Sequence, residues 1–349
     1  MRLPSLLLLF AAAATAQPMR APPPPLDPLF APELGDTRAA LLIRDGRLVA
    51  KRYAPGYSDA NRFISWSMAK TVTAVLVGEL VADGRLDPDA PAPIAEWRKP
   101  GDPRGAITLR HLLTMSSGLK HTEVGEPIEA SDTNQVLFVQ GPQAMAAAAI
   151  AQPLEAPPGT KWEYSSLTSV ILAEIVTRTL TASRDPRVRA QAYRDFAQAR
   201  LFGPAGIRSA AFDFDGAGTQ VGGSIIYMSL EDWGRFGRLL IDGKAPSGAE
   251  VIAPAWLDEL RRPAATAGNY GAQTWLNRPR EAGRPVMYPG APASTLSAEG
   301  HLGQHVVVVP EARLVLVRLG NTKDREVDAG QRVIGRLIAG QLRNSASGQ

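Results

Sequence analysis

The chain of 349 residues contains no cysteine. A disulfide, a thiolate metal site and a cysteine nucleophile are therefore excluded. Blocks of five or more like charges are also absent, because the 38 basic and 34 acidic residues are interspersed. This charge pattern gives little support to a role in binding nucleic acid or an anionic membrane surface.

Motifs of several common enzyme classes are missing as well. No G-x-S-x-G nucleophile elbow occurs, which argues against an α/β-hydrolase. No H-E-x-x-H zinc motif occurs, and His301 and His305 do not share a helix face. Walker and dinucleotide-binding patterns are absent, and the glycines of VGGS (221–224) lack their spacing. We therefore expect neither a metal nor a cofactor.

The N-terminus carries the longest apolar run of the chain, which is too short to span a membrane. The first 16 residues, MRLPSLLLLFAAAATA, combine a basic residue, an apolar segment and an A-T-A site. This order predicts a secretory signal peptide, with a buried N-terminal helix as the alternative. A proline-rich leader over 17–36 follows. We expect an exported protein, periplasmic or secreted, without a stable membrane anchor.

Strand patterns lie at both ends of the remaining chain. RAALLIRDGRLVAKRY (38–53) predicts a hairpin that turns at Asp45-Gly46. HVVVVP (305–310) and RLVLVRLG (313–320) predict two strands that are buried on both faces.

Helical patterns fill the region between the strands. Their spacing and end signals predict helices from about Ser67 to Asp83, from Thr108 to before Gly118, after Tyr164, from Ser229 to Asp242 and over 327–342. The fold class we predict is α+β, with a mainly antiparallel sheet built from both chain ends and flanked by helices. The sheet part would cover about 37–80 and 268–345, with a mostly helical part inserted over about 81–267. We expect 37–345 to form a single domain.

The pattern S-x-x-K occurs twice, at Ser67/Lys70 and at Ser117/Lys120. Gly118 marks a helix end at the second copy, so its spacing does not correspond to one helical turn. At the first copy the serine opens a helix and the lysine lies on the same face. The amine can then accept the hydroxyl proton if burial keeps it neutral. A helix cap beside a solvated lysine is the alternative.

Four segments occur in a characteristic order: NRFISWSMAKTVTAVLVGEL, ITLRHLLTMSSGL, PPGTKWEYSSLTSVILAEI and SAEGHLGQHVVVVPEARLVLVRLG. Together they resemble the serine β-lactamase-like and penicillin-binding-protein-like superfamily. The resemblance is to its class C branch, which includes D-amino-acid peptidases, secreted esterases and nylon-oligomer hydrolases. It covers the chain from about Ala39 to Arg336 and implies a β-lactamase/transpeptidase-like fold.

The resemblance implies a catalytic role for three side chains. Ser67 would be the acylated nucleophile, and Lys70 would help to deprotonate it. Tyr164, in YSS (164–166), would act as a general base and then protonate the leaving group. A nearby lysine charge would have to lower the tyrosine pKa from about 10. The alternative for Tyr164 is a half-buried aromatic residue at a helix start.

A third motif, HLG (301–303), would lie on a strand that lines the site. The resemblance implies that Gly303 lets the substrate approach the backbone. It also implies that the backbone amides of Ser67 and Gln304 form the oxyanion hole. His301 would contact a substrate carboxylate or carbonyl, with a structural hydrogen bond as the alternative.

Two positions depart from true β-lactamases of this branch. Ser166 replaces the asparagine that holds a substrate amide, and the resemblance implies that it lies in the substrate-binding site. His301 replaces the lysine that attracts the β-lactam carboxylate. Leu302 also lacks the threonine hydroxyl. Trp66 and Tyr270 are further candidates to shape a substrate pocket, with core packing as the alternative for each.

We therefore expect a secreted serine hydrolase that cleaves a small carboxylic ester or amide through an acyl-enzyme on Ser67. One alternative is a class C-type β-lactamase. The other is a penicillin-binding-like sensor or binding module with little or no turnover. The expected partner is a small-molecule ester, amide or β-lactam rather than a nucleic acid, and the sequence leaves the oligomeric state open.

Overall fold

The computed structural model describes residues 25–279, 283 and 285–346. The predicted signal peptide and most of the leader lie outside these residues. The strands of the described part are β1 (Asp36–Arg44), β2 (Arg47–Tyr53), β3 (Phe63–Ile64), β4 (Ala211–Phe212), β5 (Ile226–Met228), β6 (Trp275–Leu276), β7 (Leu296–Gly300), β8 (Gln304–Val309) and β9 (Leu314–Asn321). Its α-helices are α1 (Ala69–Ala82), α2 (Leu109–Leu113), α3 (Asp132–Asn134), α4 (Met145–Ile150), α5 (Ser166–Leu180), α6 (Pro186–Ala197), α7 (Gly203–Ala205), α8 (Leu230–Asp242), α9 (Pro254–Arg261) and α10 (Asp324–Ala346).

The main sheet combines both ends of the chain, as the sequence predicts. Its strand order is β2-β1-β9-β8-β7-β6, and all neighbours are antiparallel. The predicted hairpin is confirmed: Asp45 and Gly46 both have positive φ, of 49° and 75°. This geometry matches the twist of the two strands that the turn joins. The predicted α+β class is thereby confirmed.

Strands β8 and β9 are buried on both faces, which confirms the prediction from their apolar runs. On one face, Val306 and Val308 join the large core that contains Phe236 of α8. On the other face, Val307 joins a smaller core with Ile334 of α10. Alternate residues of one strand thus serve two cores, as the two-residue side-chain period of a strand requires.

Two helices differ from the sequence prediction. The first begins at Ala69, after a 3₁₀ turn, and all residues from Ala69 to Leu80 are buried, because the sheet and other helices surround α1. The helix predicted to end just before Gly118 ends at Leu113, and Met115 has a φ of 57°. A residue in this left-handed region cannot continue a helix.

Helix α8 belongs to the stretch predicted as the helical insertion, yet it packs on the main sheet. Added Cβ atoms at its Gly234 and Gly237 would lie 3.0 Å from Leu41 and 2.5 Å from Val315. Its N-terminus agrees with the prediction, because the side chain of Ser229 accepts from the amide of Asp232. The remaining strands form a separate small sheet in the order β3-β5-β4.

Gln273 connects three helices, α1, α2 and α5, near the residues predicted to be catalytic. Its backbone carbonyl accepts from Thr71 of α1 at 2.8 Å. Its side-chain amide donates to Leu112 and Leu113 of α2, both at 3.1 Å. Its side-chain carbonyl accepts from Ser169 of α5 at 2.6 Å. These buried bonds fix the helix ends relative to one another, because an unpaired partner would be costly.

Gly78 allows α9 to pack closely on α1. A Cβ atom at this position would lie 2.2 Å from Trp256 Nε1. The same indole N–H donates to the carbonyl of Ala74 at 3.0 Å. The side chain of Trp256 therefore cannot retreat without breaking this bond.

We expect Gly78→Ala to lower the free energy of unfolding by about 1–3 kcal/mol through overpacking, although alanine favours helices by about 1 kcal/mol. Urea denaturation measures the change. Gly340→Ala on α10 is the matched control, because no atom lies within 4 Å of its added Cβ. The control should raise stability by about 0.5–1 kcal/mol. Equal stabilisation by both substitutions would contradict the close helix contact.

Candidate active site

Ser67 lies in a 3₁₀ turn, Trp66–Met68, that leads directly into α1. Lys70 lies in the first turn of that helix, and its Nζ is 2.9 Å from Ser67 Oγ. The preceding residue, Trp66, has a φ of 43°, a value that is uncommon for a residue with a side chain. Such local strain is typical of functional turns. The structure thus brings together the first two predicted catalytic side chains.

The amine of Lys70 is buried among oxygen atoms. Besides Ser67, it contacts Ser166 Oγ at 2.9 Å and the Gly223 carbonyl at 2.7 Å. Burial lowers the pKa of Lys70 to about 8, against the raising effect of the Glu123 charge. A substantial fraction of this amine is therefore neutral just above neutral pH, as a proton acceptor requires.

The VGGS segment (221–224), for which the sequence predicts no role, forms one wall of the lysine pocket. Thr73 Oγ1 donates to the carbonyl of Gly222 at 2.9 Å, and Ser65 Oγ donates to that of Ser224 at 3.1 Å. An added Cβ at Gly223 would lie 2.7 Å from the carbonyl of Ser166. The absence of a side chain lets this backbone approach α5 closely, and the two adjacent glycines were the available sequence signal.

Tyr164 joins the two other predicted catalytic residues. Its hydroxyl lies near that of Ser67, and the Lys70 amine lies 4.8 Å from the centroid of its ring. Burial and the charge of Glu123, with a further effect of Glu299, raise the tyrosine pKa well above its ordinary value. The predicted lowering of this pKa is wrong, because burial and the nearby negative charges disfavour the phenolate. Near neutral pH, Tyr164 is therefore a neutral phenol.

Three aromatic rings pack around Tyr164: those of Trp162, Tyr270 and Trp275. Tyr270 is 1% exposed and meets Tyr164 edge to face at 6.1 Å between centroids. Tyr270 is therefore a buried packing partner of Tyr164, and its role in shaping a substrate pocket stays a prediction. Trp162 and Trp275 are partly exposed and were not singled out in the sequence.

The HLG motif does not lie on a strand, so that expectation is wrong. Residues 301–303 form the turn between β7 and β8, with Leu302 and Gly303 at φ values of 60° and 74°. An added Cβ at Gly303 would lie 2.5 Å from Arg318 Nη1, so this glycine makes room for a buried arginine. His301 does reach the site region, where its ring meets that of Trp66 at 5.6 Å.

We call the turn Trp66–Met68 the nucleophile turn, after the predicted role of Ser67. The sheet reaches this turn at Gly300, where an added Cβ would lie 2.2 Å from the Ser65 carbonyl. Gln304 begins β8, and its side chain exchanges two hydrogen bonds with the backbone of Gly320. The role of its backbone amide as an oxyanion donor stays a prediction.

Ser166, the expected substrate-binding residue, is engaged within the protein. Its amide and hydroxyl both donate to the carboxylate of Glu123, at 2.7 and 2.6 Å. Glu123 also accepts from His121 at 2.7 Å and from Thr133 at 2.8 Å. Burial opposes its ionisation, but these donors and the charge of Lys70 lower the pKa of Glu123 to about 2. Nothing in the pattern of this loop pointed to Glu123.

The second S-x-x-K copy has a local role. Ser117 is buried, and its hydroxyl accepts from the amide of Leu119 at 3.3 Å. Lys120 is exposed. Within the described residues, no cluster of three or more metal-ligating side chains occurs, and no helix combines the length and apolarity needed to cross a membrane.

Known proteins with similar sequences support the family resemblance that the motifs indicate. The Beta-lactamase family model matches residues 33–341. The 6-aminohexanoate-dimer hydrolase of Paenarthrobacter ureafaciens is 22% identical over 324 residues, which cover 82% of this chain and 73% of the relative.

Two solved structures share the fold. A Bacillus anthracis protein assigned as a 6-aminohexanoate-dimer hydrolase has a TM-score of 0.71 at 20% identity, covering 88% of this chain and 80% of its own. The D-stereospecific amidohydrolase of a Streptomyces species has a TM-score of 0.59 at 17% identity. The match covers 84% of this chain and 93% of the amidohydrolase chain. The family match spans most of the chain, which therefore belongs to the Beta-lactamase family and is a serine hydrolase with the β-lactamase fold.

Proposed function

We propose that this protein hydrolyses small carboxylic esters or amides through an acyl-enzyme on Ser67. The observation that carries the proposal is the buried amine of Lys70, 2.9 Å from the serine hydroxyl. Burial of this amine, which brings its pKa to about 8, gives the serine a proton acceptor.

In the acylation step, Ser67 Oγ attacks the substrate carbonyl carbon while Lys70 Nζ takes its proton. The backbone amides of Ser67 and Gln304 would hold the oxyanion, a contribution of about 3 kcal/mol for each donor. Tyr164 gives its proton to the departing alcohol or amine and regains one from Lys70. The neutral phenol suits this role, because a donor must hold its proton until the bond breaks.

In the deacylation step, water attacks the ester carbon of the acylated Ser67. Lys70 takes a proton from the water, and the serine oxygen leaves and regains a proton through the amine. The acid product then departs and the starting state returns. The covalent route divides one difficult displacement into two easier ones.

The residues around the nucleophile favour an ester or amide over a β-lactam. The hydroxyl of Ser166 is engaged with Lys70 and Glu123, so it does not replace the asparagine that would hold a substrate amide. His301 and Leu302 lie in a turn and supply neither the lysine nor the threonine of the β-lactamase motif. The names of the relatives above, an oligoamide-dimer hydrolase and an amidohydrolase, also refer to amide substrates.

We expect Ser67→Ala to lower the hydrolysis of p-nitrophenyl esters and D-amino-acid amides at least about a thousandfold and to abolish labelling by a fluorophosphonate. Ser117→Ala, the matched change in the second S-x-x-K copy, should leave both within about twofold, because its hydroxyl only supports a turn. Equal activity of wild type and Ser67→Ala would remove Ser67 from the mechanism.

The same substrate panel should include nitrocefin. Rapid turnover of nitrocefin would replace the proposal with a β-lactamase. Stoichiometric labelling without turnover would indicate a sensor, and no labelling would indicate a binding module.

The value of kcat/KM should rise with pH around a midpoint near 8, because Lys70 must lose its proton before it can act as a base. Tyr164→Phe should lower kcat about 10²–10⁴-fold and keep that rise, because the amine remains in place. The measurement is a pH profile of ester hydrolysis from pH 6 to about 9.5 for both proteins. A rate that falls over this range would contradict the role of the neutral lysine.

We further propose that residues 1–16 direct export and are removed. Expression of the full chain in a bacterium should place the protein outside the cytoplasm, with Gln17 as its first residue on N-terminal sequencing. The control is a chain that starts at Gln17 after an added methionine and stays in the cytoplasm. An unprocessed N-terminus on the exported protein would contradict cleavage at this site.

A further inference from the structure

Glu123 lies behind the catalytic lysine in a loop that is tied down on several sides. Its carbonyl accepts from Ser131 Oγ at 2.6 Å, and the amide of the preceding Thr122 donates to Asp132 at 2.7 Å. Its carboxylate receives the side chains of His121 and Thr133. The loop therefore holds the carboxylate in place before any substrate arrives, which is the condition for a positioning role.

The three oxygen neighbours of Lys70 determine where its N–H groups and its lone pair point. A neutral amine has two N–H donors and one lone pair. The Gly223 carbonyl can only accept, so it takes one N–H. The Ser166 hydroxyl gives its hydrogen to Glu123 and must therefore accept the second N–H. The lone pair that remains faces Ser67, the third oxygen around the amine.

An ionised carboxylate is needed for this arrangement. Because it can only accept, it forces the Ser166 hydrogen to point away from the lysine. Without it, that hydrogen could turn towards the lysine lone pair and compete with the hydrogen of Ser67. The order of donors and acceptors from Glu123 through Ser166 thus sets the direction in which Lys70 can take a proton.

We propose that Glu123 is a positioning residue of the reaction: through the hydroxyl of Ser166 it aims the lone pair of Lys70 at Ser67. The inference rests on the proposed function, in which Lys70 accepts the serine proton. Glu123 touches neither Ser67 nor, in this scheme, the substrate.

The negative charge of Glu123 has a second consequence. It raises the pKa of Lys70 against the effect of burial, so its removal shifts the pH at which the amine becomes neutral. The other titratable groups that face these residues are His121, which donates to Glu123, and Tyr164 and Glu299 near the reacting atoms. Glu299 acts on Tyr164 from β7, and both residues stay unchanged in the experiment below.

Glu123→Gln is the sharpest test. Three donors, the Ser166 amide, Thr133 and His121, converge on the same carboxylate oxygen, Oε2. The glutamine carbonyl should occupy that place, which leaves its NH₂ facing the Ser166 hydroxyl and reverses the bond. His121 can keep the Nε2–H that donates to this oxygen, so the variant requires no change of tautomer.

The measurement is the pH profile of kcat and kcat/KM for a p-nitrophenyl ester, with p-nitrophenol read at its isosbestic wavelength. We expect Glu123→Gln to lower kcat about 10–100-fold with KM nearly unchanged. We also expect the midpoint of the rise to move below that of the wild type by roughly one pH unit. Ser166→Ala keeps the charge and should lower kcat similarly with a smaller movement of the midpoint.

Thr133→Val is the matched control, because it removes one donor to Glu123 and leaves both the charge and the Ser166 bond. The kcat of this variant should stay within about threefold of the wild-type value. Unchanged kinetics of a folded Glu123→Gln protein would overturn the inference. A loss of kcat with an unmoved midpoint would also overturn it, since that indicates a structural role alone.

If Glu123→Gln does not fold, Ser166→Ala tests the inference instead. A wild-type kcat in Ser166→Ala would then overturn the inference. The proposed function is tested separately by Ser67→Ala. Activity that persists in Ser67→Ala removes both proposals. Activity that depends on Ser67, together with an unmoved midpoint in Glu123→Gln, removes only the role of Glu123.

Discussion

The amine of Lys70 is the point at which three distant parts of the chain meet. It lies within hydrogen-bond distance of Ser67 on the nucleophile turn, Ser166 at the start of α5 and Gly223 between β4 and β5. The difference between its ordinary pKa of 10.5 and about 8 corresponds to a cost of about 3 kcal/mol for the charged amine. This cost to the folded state is present below about pH 8 and decreases as the pH rises towards 10.5.

The rest of the fold holds the oxygens that surround this amine. Gln273 fixes α1, α2 and α5 relative to one another, and the glycines of the 221–224 segment let its backbone approach α5. The main sheet supports the nucleophile turn, because β7 comes close to it at Gly300. A buried polar group is tolerated only where such partners replace water.

In the proposed mechanism, Lys70 and Tyr164 have opposite tasks, which follow from their surroundings. Burial lowers the pKa of the amine and raises that of the phenol, because in each case it disfavours the charged form. The neutral amine can take a proton and the neutral phenol can give one. When the environment moves the pKa values of two neighbouring groups in opposite directions, one group can serve as the base and the other as the acid. In this site, the carboxylate of Glu123 moderates the effect on the lysine.

The sequence by itself determined the elements that depend on local physics. The Asp45-Gly46 turn, the two-sided burial of β8 and β9, and the i, i+3 spacing of Ser67 and Lys70 follow from turn chemistry and side-chain periodicity. Only the tertiary structure decided the role of Glu123, the packing of Tyr270 behind Tyr164 and the turn at 301–303. Glu123 and Ser166 are 43 residues apart, and Lys70 and Gly223 are 153 apart. Contacts of that kind depend on how whole elements pack, which no local pattern encodes.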